Sequence, residues 1–135
     1  MISPKVLKDL QEIIEENIDL TLFPYKKGNS IRIGDIVVRE SKNNGHLVYC
    51  AKANKQIART FSKTAAVAIA RGGDVNDILQ LDHDIMKHFN DCIFYRHTMR
   101  NSKNDTAKFV AESRYEISAD YTHELKKKLD RYIFN

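Results

Sequence analysis

The sequence has no run of 18 apolar residues and no signal peptide, so it contains no candidate for a membrane-spanning helix or a secretion signal. Its first ten residues, MISPKVLKDL, are polar and typical of a helix. It has only two cysteines, Cys50 and Cys92, which lie far apart in a predicted strand and a predicted helix. We interpret them as reduced, buried thiols in a cytosolic setting, not as a disulfide or a metal-binding pair. We therefore expect a protein that is neither secreted nor inserted in a membrane.

The signatures of common catalytic sites are missing as well. The sequence has no Gly-x-Ser-x-Gly, no Walker loop, no Gly-x-Gly-x-x-Gly and no His-Glu-x-x-His. Gly72 and Gly73, followed by Asp74, indicate the end of one helix joined to the start of the next. We predict from these absences that the protein is not an enzyme and that it uses no cofactor.

One stripe of polar residues has the spacing of a metal site. Asp84, His88 and either Asp91 or Cys92 share a predicted helix face, which a divalent metal ion could bridge. The facing helix brings no second histidine or cysteine, since His123 projects near its outer face. Metal sites in helical bundles repeat a Glu-x-x-His pattern on facing helices. We therefore interpret the stripe as a solvated polar face and predict no bound metal.

The composition is that of a soluble globular protein. Of the 135 residues, 42% are apolar and 30% are charged, which suits one domain, or one small domain with a helical extension. The net charge of +4 is unevenly distributed. Residues 1–24 carry two lysines and five acidic residues, or −3, whereas residues 25–63 carry nine basic and two acidic residues, or +7. The basic middle segment could therefore meet phosphates or an acidic protein surface.

The first half of the chain is predicted to form an αβββα module over residues 1–73. Ser3 is the expected N-cap of an amphipathic helix, with a proline as its first residue. From Ser30 to Phe61 apolar residues alternate with polar ones, which predicts a three-to-four-stranded antiparallel β-meander. Ser62 then caps a short alanine-rich helix from Lys63 to Arg71, whose small side chains allow it to lie close to a sheet.

Two glycine-containing pairs indicate turns within the β segment. Asn44 and Gly45 accept the positive φ values that a type I′ hairpin needs. Gly34 and Asp35 are consistent with either a turn or a β-bulge, and the sequence leaves both open.

The second half, residues 74–135, is predicted to form a long antiparallel helical hairpin, either as a second domain or as a continuation of the first. The fold class is therefore α+β. Asp74 is the expected N-cap of the first long helix, and the polar segment SKND separates the two helices. In the expected register Phe89 faces Ile117. The apolar stripes contain Ile78, Leu81, Ile85, Phe89, Cys92, Ile93 and Met99 in the first helix, and Val110, Ile117, Tyr121, Leu125, Leu129 and Tyr132 in the second.

Three charged residues, Asp82, Arg96 and Arg114, fall inside these apolar faces. A charge on such a face requires a partner, because burying it unpaired is costly. We interpret the three as local structural contacts, made through an ion pair or a tyrosine hydroxyl. The alternative is that the face carrying them docks onto another chain.

The basic β segment is the clearest chemical feature of the sequence, because basic residues on strands could contact phosphates. The αβββα order, with TFSKTAAVAIA opening its last helix, resembles a double-stranded-RNA-binding domain, and the βββα part is similar to the arm-type DNA-binding domain of tyrosine recombinases. Both resemblances cover residues 30–71. The candidates for nucleic-acid binding on the strands are Arg32, Arg39, Lys52 and Arg59, to which the RNA-binding resemblance adds Lys63.

This resemblance is incomplete. The RNA-binding family usually shows Gly-x-Gly-x-Ser-Lys-Lys before its second helix, whereas ARTFSKT keeps Ser62 and Lys63 without the glycines or the further lysine. The alternative is that the basic residues simply solvate the open face of a sheet.

The chain as a whole looks like the small uncharacterised proteins of marine tailed phages. The likeness lies in its Asn/Lys/Ile-rich composition and in the pattern TFSKTAAVAIARGGDVNDILQLDHDIMKHFNDCIFYRHTM. It implies a component of a virion, located in the virion or in the host cytoplasm.

Apolar surface on the predicted hairpin favours contacts with other proteins. Each long helix has one partner helix, which covers less of its circumference than the apolar residues span. We therefore predict a non-enzymatic structural or assembly protein that contacts other subunits in a homo- or hetero-oligomer, with nucleic-acid binding by the basic β segment as the alternative. The candidates for partner contact are Phe94, Tyr95, Met99, Tyr132, Ile133 and Phe134.

Overall fold

A computed structural model describes residues 2–17, 30–41 and 45–134. It confirms the α+β class: a helix, an antiparallel sheet, a short helix and two long helices follow one another along the chain. In the described residues no helix is both long and apolar enough to cross a membrane. The elements are α1 (Pro4–Asn17), β1 (Ile31–Ile33), β2 (Ile36–Glu40), β3 (His46–Cys50), β4 (Lys55–Thr60), α2 (Lys63–Ala70), α3 (Val75–Asn101) and α4 (Asp105–Phe134).

Short polar side chains start the helices, as the sequence predicts for three of them. Ser3 Oγ accepts the Val6 N–H at 3.3 Å, and Ser62 Oγ accepts the Ala65 N–H at 3.2 Å. Asp74 Oδ1 accepts the Asp77 N–H at 2.9 Å. Each bond satisfies a backbone donor that has no partner within the first helical turn. In α4 the same role falls to Asn104, whose side-chain oxygen accepts the N–H groups of Thr106 and Ala107.

The chain forms two compact units that do not coincide with the predicted division after residue 73. One unit comprises residues 1–19 and 87–124, and the other comprises residues 20–86 and 125–135. The first unit therefore contains α1, the second half of α3 and most of α4. The second unit contains the sheet, α2, the start of α3 and the end of α4.

The sheet is an antiparallel meander in the order β1-β2-β3-β4. Gly34 and Asp35 form a two-residue turn between β1 and β2, which decides between the two alternatives left by the sequence. Gly34 has a φ of 59°, a conformation that costs glycine little. The irregularity in the sheet lies elsewhere, at Val48/Tyr49 in the pairing of β3 with β4. The predicted hairpin turn at Asn44 falls on residues 42–44, which lie outside the described residues.

The short helix α2 lies at the centre of the second unit. All eight of its residues are buried, and it contacts β2, β3 and β4. Its alanines leave room for this close approach, as the sequence predicts. Where α2 ends, a side chain on Gly73 would meet Ile78 of α3 and Tyr132 of α4. The long helices therefore pack against the α2 corner, which explains why the second unit includes parts of both halves of the sequence.

Asp82 of α3 holds the start of α2 in place. Its Oδ2 accepts the Phe61 N–H at 2.7 Å, and its Oδ1 accepts the Ser62 N–H at 2.9 Å and the Ser62 hydroxyl at 2.8 Å. The carboxylate is 5% exposed. Asp82 therefore makes a local structural contact, but its partner is a helix N-terminus and not the predicted cation or tyrosine.

The buried face of α4 differs from the prediction in the first unit, whereas the predicted Leu129 is buried in the second unit. In the first unit Ala111, Ser118 and Thr122 are buried, whereas the predicted Val110, Ile117 and Tyr121 are 43%, 56% and 56% exposed. The observed face lies one residue further along, a rotation of about 100°. The buried residues of this face have small side chains, and the Thr122 hydroxyl is satisfied because it donates to the Ser118 carbonyl at 2.9 Å.

The antiparallel pairing of α3 and α4 agrees with the prediction more closely. Most of the predicted α3 stripe is buried, including Ile85 and Phe89. In the first unit the Cys92 Sγ lies 4.0 Å from the Tyr115 carbonyl oxygen, and the rings of His88 and Tyr121 stack 5.1 Å apart. These pairs lie within about one helical turn of the predicted register.

Removing the Asp82 carboxylate is expected to destabilise the second unit. In Asp82→Ala two backbone N–H groups lose their acceptor, at about 1–3 kcal/mol for each group that stays buried. Asp82→Asn keeps one acceptor and presents an amide donor to the other N–H, so a smaller loss is expected. Urea unfolding measures both, with Asp84→Asn on the same helix as the control. Equal stabilities of the wild type and Asp82→Ala would contradict the role of this contact.

The pH dependence of stability has a defined sign. Burial raises the pKa of Asp82 above its ordinary value near 3.8, and hydrogen bonds from Phe61 and Ser62 oppose this shift only in part. A raised pKa in the folded state adds stability below the unfolded pKa that is lost as the pH rises through the folded pKa. The free energy of unfolding of the wild type, minus that of Asp82→Asn, should therefore decrease from about pH 4 to pH 7. A difference that grows with pH would show that the hydrogen bonds outweigh burial.

Candidate functional site

One face of the sheet is turned away from α2. Side chains alternate along a strand, so Val38, Val48 and Ala58, which are buried in register with one another, define the face that α2 covers. The opposite face forms two rows across the strands. We call it the open face, and its residues are Arg39, Leu47 and Arg59 in one row, and Arg32, Val37, Tyr49 and Gln56 in the other.

The three arginines of the open face make contacts with neutral groups. Arg32 Nε donates to the Gly34 carbonyl at 3.0 Å, and Arg59 Nη2 donates to the Ser41 hydroxyl at 3.2 Å. The Arg39 guanidinium lies 5.9 Å from the centre of the Tyr49 ring, a cation–π contact. All three side chains are exposed. The prediction that basic strand residues share one surface therefore describes Arg32, Arg39 and Arg59.

The other basic candidates have different positions. Lys52 is exposed but lies in the turn between β3 and β4 instead of on a strand. Lys63 is only 1% exposed, so its assignment as a phosphate-binding residue is wrong. It opens α2, whose residues are all buried, and burial lowers its pKa while the negative charge of Glu40 opposes the shift. Its side chain therefore belongs to the interior of the second unit.

The candidates for partner contact also differ in their exposure to solvent. Phe94 is 60% exposed and Tyr132 is 36% exposed, whereas Tyr95 and Met99 are half-buried. Ile133 is 3% exposed and lies in the core, so its assignment as a contact residue is wrong. The rotated face of α4 explains this, because it turns Ile133 inward in place of Tyr132. The Phe134 side chain lies outside the described residues.

Sequence reasoning missed the most exposed apolar surface of α4. Val110, Ile117 and Tyr121 were expected to face α3, yet they form an exposed line that we call the α4 stripe. Phe109, which the sequence did not single out, is 69% exposed. A signal was present: Ala111, Ser118 and Thr122 repeat the same spacing one residue later, and small residues on one line favour close helix packing.

The remaining charged residues of the predicted apolar faces lie in the first unit. Arg96 is half-buried, and its guanidinium lies 5.8 Å from the centre of the Tyr115 ring. This contact supports the local structural interpretation for Arg96. Arg114 is exposed, so it does not lie on a buried face.

A cleft of about 380 Å³ in the second unit is lined by Arg59, Phe61, Asp82 and His83, among others. Both oxygens of Asp82 are already occupied by the start of α2. The hydroxyl of Thr60, which also lines the cleft, donates to the Ser62 carbonyl at 2.7 Å. The described lining therefore offers no nucleophile paired with an available base.

The predicted polar stripe on α3 does not converge on a metal position. Within the described ranges no three His, Cys, Asp or Glu side chains are arranged to hold a metal ion. His88 instead stacks on Tyr121, and Asp84 accepts the Gln80 amide at 3.2 Å. His88 and Asp84 thus each contact another side chain instead of a shared metal position.

Comparison with known protein families, with curated proteins and with solved structures finds no match to this chain.

The two cysteines are expected to differ in reactivity. Burial and the nearby Asp91 raise the pKa of Cys92 to about 12, against the opposing hydrogen bond with Thr122. Because the thiolate is the reactive form, Cys92 should resist iodoacetamide at pH 8 until the protein unfolds. Cys50 is half-buried in β3 and serves as the internal comparison. Peptide mass mapping measures both, and native labelling of Cys92 at its unfolded rate would contradict the described packing.

Proposed function

We propose that this protein is a non-enzymatic structural protein that contacts other protein subunits through the exposed apolar surface of α3 and α4. The α4 stripe is the observation that carries the proposal. Its three residues lie within about 40° of one another around the helix, because they are seven and four positions apart. Exposed apolar side chains on one line of a helix are typical of a protein-contact surface.

Further exposed aromatic residues lie on α3 and α4 within the first unit. Phe94 on α3 and Phe109 on α4 are each more than half exposed, and Tyr121 is stacked on His88. Aromatic side chains are enriched in protein interfaces, since they bury a large area at a small cost in conformational entropy. An apolar surface of this kind is stabilised when another molecule removes it from water.

The proposal also includes the location of the protein. A virion component, located in the virion or in the host cytoplasm, is supported by the likeness of the sequence to small proteins of marine tailed phages. Other subunits, identical or different, would then cover the α4 stripe in the assembled particle.

Replacing two residues of the α4 stripe should abolish association. Val110→Gln with Ile117→Gln removes the apolar surface while keeping side chains that favour a helix. Because neither residue is buried, the folded state should remain intact. Native mass spectrometry at tens of micromolar protein should show oligomers for the wild type and monomers for the double variant.

The control replaces two exposed glutamates of the same helix, Glu112→Gln with Glu116→Gln, and should associate like the wild type. Chemical cross-linking in the native setting, through the exposed Lys108 of the same helix, extends the test to different subunits. A wild type that stays monomeric and yields no cross-linked partner would contradict the proposed function.

A further inference from the structure

The open face combines cationic groups at its rim with an apolar and aromatic centre. Arg39 and Arg59 stand on either side of Leu47 in one row, and Val37 and Tyr49 occupy the middle of the other row. Neighbouring strands are about 4.8 Å apart, so Arg39 and Arg59 are separated by about 10 Å across the sheet. The face therefore offers separated positive charges around a half-buried apolar strip.

Its charge has one sign. The open face as defined above contains three arginines and no aspartate or glutamate. Glu40 belongs to the opposite face, since it pairs with His46 in register with the buried Val38 and Val48. A surface of this kind attracts a polyanion, and the attraction is not cancelled by carboxylates on the same face.

The arginines keep hydrogen-bond donors for a ligand. A guanidinium has five N–H donors, and the hydrogen bonds of Arg32 and Arg59 to Gly34 and Ser41 each use one nitrogen. Among the described residues Arg32 is bound through Nε, which leaves both of its terminal nitrogens to face a phosphate in the bidentate manner. The neutral contacts fix the direction of each side chain without neutralising its charge.

Tyr49 gives the centre of the open face an oriented planar group. Its hydroxyl donates to Asn54 Oδ1 in the β3–β4 turn, which holds the ring in one orientation. The Arg39 guanidinium lies against this ring. Nucleic-acid bases stack both on aromatic rings and on guanidinium planes, so this pair can receive an unpaired base.

We propose that the open face binds single-stranded nucleic acid, with Arg32, Arg39 and Arg59 on the phosphates and with the Tyr49 ring, beside Val37 and Leu47, on the bases. Single strands are favoured over a duplex because the apolar centre needs the faces of bases, which a duplex keeps stacked inside. The exposed Lys52, in the turn beside the Tyr49 end of the sheet, would extend the cationic rim. This site is independent of the protein contacts proposed for α3 and α4.

The proposal is tested by fluorescence anisotropy with labelled oligothymidylate and oligouridylate of about 20 nucleotides. Binding is expected at about 50 mM salt, and it should weaken steeply as salt is added. The slope for single strands is roughly −0.7 per phosphate contact, so three contacts predict a loss of about twentyfold between 50 and 200 mM salt. A duplex of the same length should bind more weakly, and tighter binding of the duplex would overturn the proposal.

Two triple variants distinguish the effect of the open face on affinity from the effect of the overall charge. Arg32→Gln, Arg39→Gln and Arg59→Gln together should reduce affinity at least about tenfold and flatten the salt slope by about 2. The control changes three exposed lysines of the first unit, Lys5→Gln, Lys103→Gln and Lys108→Gln, and so removes the same charge from a chain of net charge +4. Equal loss of binding in the two triple variants would overturn the site, and so would tighter binding of an oligoglutamate peptide than of the oligonucleotides.

The base contact is tested separately at Tyr49. Tyr49→Ala should weaken binding of the oligonucleotides by about ten- to a hundredfold, because it removes a stacking surface. Tyr49→Phe keeps the ring and should stay within a few-fold of the wild type, which also controls for loss of fold. Equal affinity of Tyr49→Phe and a folded Tyr49→Ala would contradict the stacking role.

Discussion

The second unit depends on a buried carboxylate that binds the start of a buried helix. Helix α2 is enclosed on all sides, so the unpaired N–H groups before its first turn cannot be left to water. Asp82 supplies the acceptors from α3, twenty residues away in sequence. The cost of burying its charge is offset in part by three hydrogen bonds, which also fix α3 against the α2 corner. The sheet that α2 covers is thereby given one closed face and one open face.

A second constraint acts in the first unit, where small residues determine which face of α4 is turned inward. Ala111, Ser118 and Thr122 allow close packing, and dispersion contacts reward such closeness over the whole length of an interface. The larger Val110, Ile117 and Tyr121 are turned outward as a consequence. Burial of the small residues of α4 therefore leaves exposed the apolar surface on which the proposed assembly function rests.

The sequence predicted the features that depend on local interactions. Ser3, Ser62 and Asp74 act as caps because capping involves residues two or three positions apart, and the strands follow from alternation. In the first unit the inward face of α4 was predicted wrongly, since hydrophobicity alone favours Val110 and Ile117 and says nothing of how closely a neighbour can approach.

Other failures of prediction have the same origin in long-range packing. The residues next to Lys63 in the sequence predict an exposed lysine. Lys63 is nevertheless the first residue of a helix that the rest of the unit encloses. The partner of Asp82 is a pair of backbone N–H groups, which no side-chain pattern reveals. The open face was foreseen only as a set of basic residues, because the position of Tyr49 among the arginines depends on the register of four strands.

The central claim is that in the first unit α4 buries Ala111, Ser118 and Thr122 and exposes Val110, Ile117 and Tyr121, the surface that we propose another molecule covers. Methyl NMR with a soluble paramagnetic agent measures this directly, because relaxation increases where a methyl group meets solvent. In dilute protein the Ile117 methyl groups should be strongly affected and the Ala111 methyl group protected, and Ile117 should become protected as the concentration of the protein, or of an added subunit that binds it, rises. Protection of Ile117 in the dilute monomer, with Ala111 exposed, would contradict the account.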